Sequence, residues 1–202
     1  MRMHVNAASP FARKARIVAR ESALNDRLEE IETAVSPVSP NAALAASNPL
    51  VKIPALVLDD GTTLYDSRVV CEYLDSIGGG SLFPAAGPER WEALRLQALC
   101  DGILDAAVLT RYESAVRPEA LRWSDWIAGQ RRKIDGGLAA LEASRGTWGE
   151  RFAIGQIGAA CVLGYLDFRF PDIGWRAAHP KLGRWFETVS ARKSVQETRP
   201  PA

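Results

Sequence analysis

Apolar residues recur along this chain with two periods, and the change between them divides it. Up to Gly78-Gly79-Gly80, short strand-like runs alternate with runs that repeat every three to four residues. Beyond it, helical periodicity holds nearly to the end. Residues 1–5 read as a strand. Ser9-Pro10 then reads as a helix N-cap followed by proline at the first helical position, where its missing N–H costs nothing. Phe11, Ala15, Val18 and Ala19 give that helix an apolar face, and Arg13, Lys14, Arg16 and Arg20 are expected largely off it, as a solvated surface. Residues 28–31 read as a second strand, and Pro37, Pro40 and Pro49 break up the next stretch. Ala55-Leu56-Val57-Leu58 and Thr63-Leu64-Tyr65 flank Asp59-Asp60-Gly61 as a hairpin. Asp66-Ser67 caps a further helix, with Val69, Val70, Tyr73, Leu74 and Ile77 on one side.

Strand, helix, strand, irregular segment, hairpin, helix is a parallel βαβ start completed by antiparallel strands, the thioredoxin-like α/β plan. The later part predicts helices over residues 90–111, 121–144, 156–168 and 181–191, which pack as an all-α bundle. All six tryptophans lie in this part, as expected of a separate core. The glycine- and proline-rich stretch between sets two domains, residues 1–78 and 89–202.

A length of 202 residues accommodates two such cores without disulfide or metal staples. The net charge of +1 argues against a nucleic-acid binder that works by bulk electrostatics, and the basic run of the first helix has no interleaved aromatics. No apolar run approaches the roughly 20 residues that span a bilayer, and the first residues carry no signal-peptide pattern. A cytoplasmic protein with no membrane partner is the expectation. Cys71, Cys100 and Cys161 are far apart and set among apolar residues, which suits buried reduced thiols. With no C-x-x-C, and with His4 and His179 lacking neighbours at ligand spacing, no metal site is expected.

Three local features carry chemistry. Ser9-Pro10-Phe11 opens a helix, whose unpaired N–H groups and positive dipole end favour a thiolate that the serine hydroxyl also reaches; alternatively, Ser9 only caps the helix. In Asn48-Pro49-Leu50-Val51-Lys52-Ile53-Pro54-Ala55-Leu56, Pro54 is either an ordinary strand-start proline or a cis-proline that leaves the preceding backbone open to a peptide-like ligand. Asp66-Ser67 is either a simple cap or a carboxylate, a hydroxyl and helix N–H groups that hold an α-amino acid end.

The order and spacing of Ser9-Pro10-Phe11-Ala12-Arg13-Lys14, the Asn48 to Leu56 segment and Tyr65-Asp66-Ser67 resemble the glutathione transferase superfamily, specifically bacterial members with serine at the first helix start. Residues 154–168 look like the family's buried core helix, and Pro180-Lys181-Leu182-Gly183-Arg184-Trp185 like its final one. The resemblance implies a transferase that uses glutathione as co-substrate, with no prosthetic group, and passes an alkyl or aryl group from a small electrophile to its sulfur, or reduces a peroxide. It implies that Ser9 is catalytic, hydrogen-bonding the sulfur beside the Pro10-Phe11 backbone. It implies that Ile53, before a cis Pro54, pairs with the cysteinyl part, that Asp66 and Ser67 hold the γ-glutamyl end, and that Lys52 approaches the glycyl carboxylate. It implies a homodimer engaged in detoxification. A binding or scaffold protein that keeps the fold without the chemistry is the alternative.

Two positions depart from the family pattern. Val51 stands where glycine is common, and Ala153 and Gln156 replace the capping box of the core helix, a loss of about 1 kcal/mol. Arg111-Tyr112-Glu113 and Arg117-Pro118-Glu119 end the first long helix. Arg111 and Tyr112 are candidates for a co-substrate pocket; the other reading makes these charges a solvated helix end or a salt-bridge set.

Overall fold

The structure, a computed structural model, describes residues 1–201. Two compact units divide the chain: Met1–Trp91 together with the segment from Lys193 onward, and Glu92–Arg192.

The first unit is built on a four-stranded sheet of order β2-β1-β3-β4. Strands β1 (Arg2–Val5) and β2 (Glu29–Glu32) are parallel, with Arg2 opposite Glu29 and Val5 opposite Glu32. Strand β3 (Ala55–Val57) runs antiparallel to β1, with Ala55 opposite His4. Strand β4 (Thr63–Leu64) returns antiparallel to β3, with Leu64 opposite Leu56. Gly61, at φ 88, makes the hairpin turn, a conformation that costs glycine nothing.

Helix α1 (Pro10–Glu21) connects β1 to β2 and packs on α3 (Ser67–Ile77). Ala12, Ala15, Ile17, Val18, Val70, Cys71 and Leu74 are buried, as are Met3, Val5 and Leu56, which share one face of the sheet. Asp75, buried in the last turn of α3, accepts the N–H groups of Ser81, Leu82 and Phe83 and so fixes the chain leaving this helix.

Two features differ from the sequence expectation. A short helix α2 (Ala42–Ser47) occupies the stretch read as irregular. Only Leu44 of its six residues is buried, so it has no apolar periodicity to detect; Asn41 starts it by accepting the Leu44 N–H at 3.1 Å. The basic run of α1 is not a solvated face. Arg13 and Lys14 are 3% and 0% exposed, and Arg13 Nη2 donates to the Val195 carbonyl at 3.1 Å. Arg16 and Arg20 meet Glu30 at 2.7 and 3.0 Å, and Arg20 also reaches Glu197 at 3.3 Å. Long side chains bury their stems while their charged heads find partners, which a count of apolar residues does not register. The run ties α1 to β2 and to the C-terminal segment, where α9 (Lys193–Gln196) rests on α1.

Helix α4 (Gly87–Ala115) crosses from the first unit into the second, which continues with α5 (Ser124–Ser144), α6 (Ile154–Arg169), α7 (Trp175–Ala178) and α8 (Pro180–Ser190). Every residue of α6 from Ile154 to Leu166 is buried, as its nearly unbroken apolar sequence requires. Ala153 stands at its N-cap with no side-chain bond, and Gln156 turns instead to the Trp148 carbonyl at 3.2 Å. Glu142 of α5 accepts the Lys181 and Leu182 N–H groups at 3.0 and 2.9 Å, a carboxylate placed at the positive end of α8.

Cys71, Cys100 and Cys161 are buried reduced thiols. Among the described residues no helix is long and apolar enough to cross a membrane, and no His, Cys, Asp and Glu side chains gather to hold a metal ion.

Candidate functional site

The register of the sheet brings three loops to one edge. Val5 ends β1, and the chain then passes through Asn6 to Ser9 into α1. Because Ala55 lies opposite His4, Ile53 and Pro54 arrive at the same edge from the other direction. Leu64 lies opposite Leu56, so Asp66, two residues on, is delivered there as well.

At the first corner, Asn6 shapes the turn: its carbonyl accepts the Ser9 N–H and its side-chain oxygen the Ala8 N–H, both at 2.9 Å. Ser9 is the N-cap of α1, and its Oγ accepts the Ala12 N–H at 3.2 Å. Pro10 has no N–H to offer, and the Arg13 N–H goes to the Ser9 carbonyl. Two donors are left at this helix start, the Ser9 hydroxyl and the Phe11 N–H. Phe11 itself is half-buried.

The second corner is organised by Asn48, 1% exposed. Its amide donates to the Lys52 carbonyl at 2.8 Å, its side-chain oxygen accepts the Leu50 N–H at 3.0 Å, and its carbonyl accepts the Val51 N–H at 2.9 Å. This clamp turns residues 48–52 tightly, and Val51 adopts φ 51, the left-handed region. Lys52 is exposed, and Ile53 and Pro54 are buried, joined by a cis peptide bond. Neither the N–H nor the carbonyl of Ile53 has a hydrogen bond among the described residues. Sequence reasoning missed the part that Asn48 plays; its signal was an asparagine before proline, a residue type that bonds its own following backbone.

At the third corner Asp66 is the N-cap of α3 and its Oδ1 accepts the Arg68 N–H at 2.9 Å. Asp66 is exposed, while Ser67 beside it is buried. The Tyr65–Asp66 bond is also cis.

The same edge therefore holds two helix N-termini with hydroxyl and carboxylate caps, flanking a backbone pair that is open to a ligand. Chemically this suits an extended peptide-like molecule with an anionic or thiol group at α1 and a charged amino acid end at α3.

Arg111 and Tyr112 stand in the helical unit, on the last turns of α4, the first exposed and the second half-buried. Glu113 beside them is engaged by Arg117 at 2.7 Å and by the Trp123 N–H at 3.0 Å. The Trp123 N–H, then Arg117, holds its carboxyl below the ordinary value. Tyr165 of α6, which the sequence placed in the core helix, and Arg169, to which it assigned no part, belong to the same surroundings. Burial pushes the Tyr165 hydroxyl up to about 12, with Arg169 and Arg111 opposing and Tyr112 reinforcing that shift.

Comparison with known proteins returns one family in both parts of the chain. The family model described as glutathione S-transferase, N-terminal domain, matches residues 8–77, and that of the C-terminal domain matches residues 124–188. The chain is 32% identical over 198 residues to YibF of Escherichia coli, described as an uncharacterized GST-like protein, covering 96% of this chain and 95% of that one. A crystal structure of a glutathione transferase family member from Pseudomonas fluorescens Pf-5 with bound glutathione superposes with a TM-score of 0.98 at 47% identity, covering 100% of this chain and 99% of that one. A second structure of a family member from that organism, with bound S-(propanoic acid)-glutathione, gives 0.92 at 45% identity over 100% of both chains.

Proposed function

The chain belongs to the glutathione S-transferase family, and we propose that it binds glutathione at the three-cornered sheet edge and activates its thiol for attack on an electrophilic co-substrate. The observation that carries the reading is the open backbone pair of Ile53, set between two capped helix starts. Ile53 pairs with the cysteinyl peptide of glutathione beside Pro54. Asp66 and Ser67 receive the γ-glutamyl ammonium and carboxylate at the start of α3, and Lys52 approaches the glycyl carboxylate. The Pseudomonas relative with bound glutathione supports glutathione as the ligand.

The thiol is then delivered to the start of α1. Ser9 keeps its cap bond to Ala12 through a lone pair and donates its hydrogen to sulfur, while the Phe11 N–H and the helix dipole add positive potential. A free thiol with a pKa of about 8.5 is only a few per cent ionised at neutral pH. Lowering that value by one unit raises the thiolate roughly eightfold, and by two units roughly 25-fold. The thiol proton leaves to solvent. A sulfur lone pair forms the S–C bond, and the leaving group departs with the electrons of the bond it breaks. In an activated alkene the π pair moves instead to the neighbouring carbon, which takes up a proton from water. Arg111 and Tyr112 are the candidates for the pocket of this second substrate. No prosthetic group enters the scheme. The same reading makes the protein a cytoplasmic homodimer engaged in detoxification, and the buried reduced thiols suit a reducing compartment.

The test separates binding from chemistry. For Ser9→Ala, turnover of an activated aryl chloride is expected to fall roughly tenfold to a hundredfold, the size of one hydrogen bond to a charged group, while glutathione affinity changes little. Unchanged turnover would remove Ser9 from the mechanism. Glutathione binding without turnover of aryl chlorides, alkenes or peroxides in the wild type would favour the binding or scaffold alternative.

A further inference from the structure

Helices α5 and α8 meet where α5 ends. Glu142 ties the last turns of α5 to the start of α8 through the Lys181 and Leu182 N–H groups, and the chain leaving α5 makes a 3-10 turn over Arg145–Thr147. Lys181, Arg184, Trp185 and Thr188 stand at the i, i+3, i+4 and i+7 positions of α8 and so share one face. With Arg145 and Gly146 they line a cleft of about 370 Å³, within the size range of small-molecule sites. All of these residues belong to the helical unit.

Arg145 is held in place. Its guanidinium lies 5.4 Å from the centre of the Trp148 ring and 5.7 Å from that of Trp185, and the two rings meet edge-on at 5.1 Å. The Trp148 indole N–H donates in turn to the Ser144 hydroxyl at 3.1 Å. The rings attract and orient the cation, yet its Nε is buried and has no hydrogen-bond partner among the described residues. Burial shifts this guanidinium downward from its ordinary value, and no carboxylate opposes the shift. A cation taken partly out of water without a counter-ion is unfavourable until an anion joins it.

The lack of an ion pair is not what marks this place, since Arg122 and Arg132 of the same unit have none either among the described residues. What marks it is convergence. Arg145, Lys181 and Arg184 line one cleft, none of them has an ion pair among the described residues, and no acid is among the lining residues. Glu142 stands beside the cleft with both oxygens on backbone N–H groups of α8, and Glu187 acts on Arg176 instead. Three cations against that one carboxylate leave two positive charges in excess. A phosphate monoester carries about −1.5 to −2 at neutral pH and offers three acceptor oxygens. Guanidinium forks and a lysine point charge are the donors that suit it. A carboxylate, with one charge and two oxygens in a plane, leaves part of this set unused.

We propose that the cleft between the end of α5 and α8 binds a phosphate group, carried by a small organic molecule or present as the free ion, through Arg145, Lys181 and Arg184. The inference stands on the helical unit alone and does not depend on the glutathione reading.

Calorimetric titration of the full chain with phenyl phosphate and with inorganic phosphate, at one fixed ionic strength, tests it. At least one of the two is expected to bind one to one with a dissociation constant below about 1 mM. Tighter binding of phenyl phosphate assigns the cleft to an organic phosphate, and inorganic phosphate binding as tightly or more so assigns it to the free ion. Arg145→Gln and Arg184→Gln should each weaken binding about tenfold or more, the effect of one hydrogen bond to a charged group. A Cβ added at Gly146 meets nothing within 4 Å. Gly146→Glu therefore brings a carboxylate to the cleft at little cost to the fold, and its like charge should weaken binding at least as much. Arg132→Gln, at an exposed arginine of α5 outside the lining, should leave binding unchanged. If Arg145→Gln does not fold, the exposed Arg184 and Gly146 decide. Neither anion binding in this range, binding unchanged by both Arg184→Gln and Gly146→Glu, or binding weakened equally by Arg132→Gln overturns the inference, and each leaves the glutathione site standing.

Discussion

A serine hydroxyl has one hydrogen to donate and two lone pairs with which to accept, and the proposed mechanism uses both capacities of Ser9. The cap bond does not preclude the proposed catalytic one: a lone pair serves Ala12, which leaves the hydroxyl hydrogen free to donate. Val51 presents the opposite case, a residue at odds with its place. At φ 51 its branched side chain occupies the left-handed region, at a cost of about 1–2 kcal/mol relative to an ordinary conformation. The Asn48 clamp on either side of it imposes that turn. Glycine there relieves the strain and gives back about 0.5–1 kcal/mol through the greater freedom of its unfolded chain. Val51→Gly is therefore expected to stabilise the protein by roughly 0.5–1 kcal/mol, seen as a higher urea midpoint at unchanged slope. A lower midpoint would mean that packing of the valine outweighs its backbone strain.

At the scale of elements, the end of α4 shows how one carboxylate secures a connection. Glu113 accepts the Trp123 N–H and the Arg117 guanidinium, which folds the link to α5 back onto α4 beside Arg111 and Tyr112. In the charged cluster read from the sequence as either pocket or salt-bridge set, Glu113 and Arg117 pair, whereas Arg111 has no ion pair among the described residues. Types and spacing do not distinguish these roles, because the partner that decides, Trp123, lies beyond the next turn. The Trp123 N–H, and then Arg117, holds the Glu113 carboxyl below its usual 4.5. A carboxyl lowered in the folded state contributes stability that is present above its unfolded value and lost as pH falls through the folded one. Glu113→Gln should thus lower the thermal midpoint at neutral pH, and its gap from the wild type should close as pH falls from about 5 toward about 3. Melting curves over that range check this, and a gap independent of pH would remove the ionised carboxylate as its cause.

For the molecule as a whole, the sequence was legible where local chemistry and element order agreed. The βαβ start, the Asp59-Asp60-Gly61 hairpin and the two capped helices stand as expected, because turn residues and caps act on their own neighbourhoods. So did the long helices, whose apolar stripes span several turns. Legibility failed where burial depends on distant partners. Arg13 and Lys14 read as surface, yet both are buried and Arg13 bonds to the C-terminal segment, far away in sequence. Asn48 read as part of a turn until its three bonds were seen together. Tyr165 read as plain core until the residues of α4 around it were seen. The account stands most directly on one measurement, the calorimetric titration of reduced glutathione into the wild type and Asp66→Ala. It predicts a dissociation constant below about 1 mM in the wild type, some 4 kcal/mol or more, and loss of detectable binding when the Asp66 carboxylate is removed from the start of α3. No heat of binding in the wild type, or equal binding in both proteins, would contradict it.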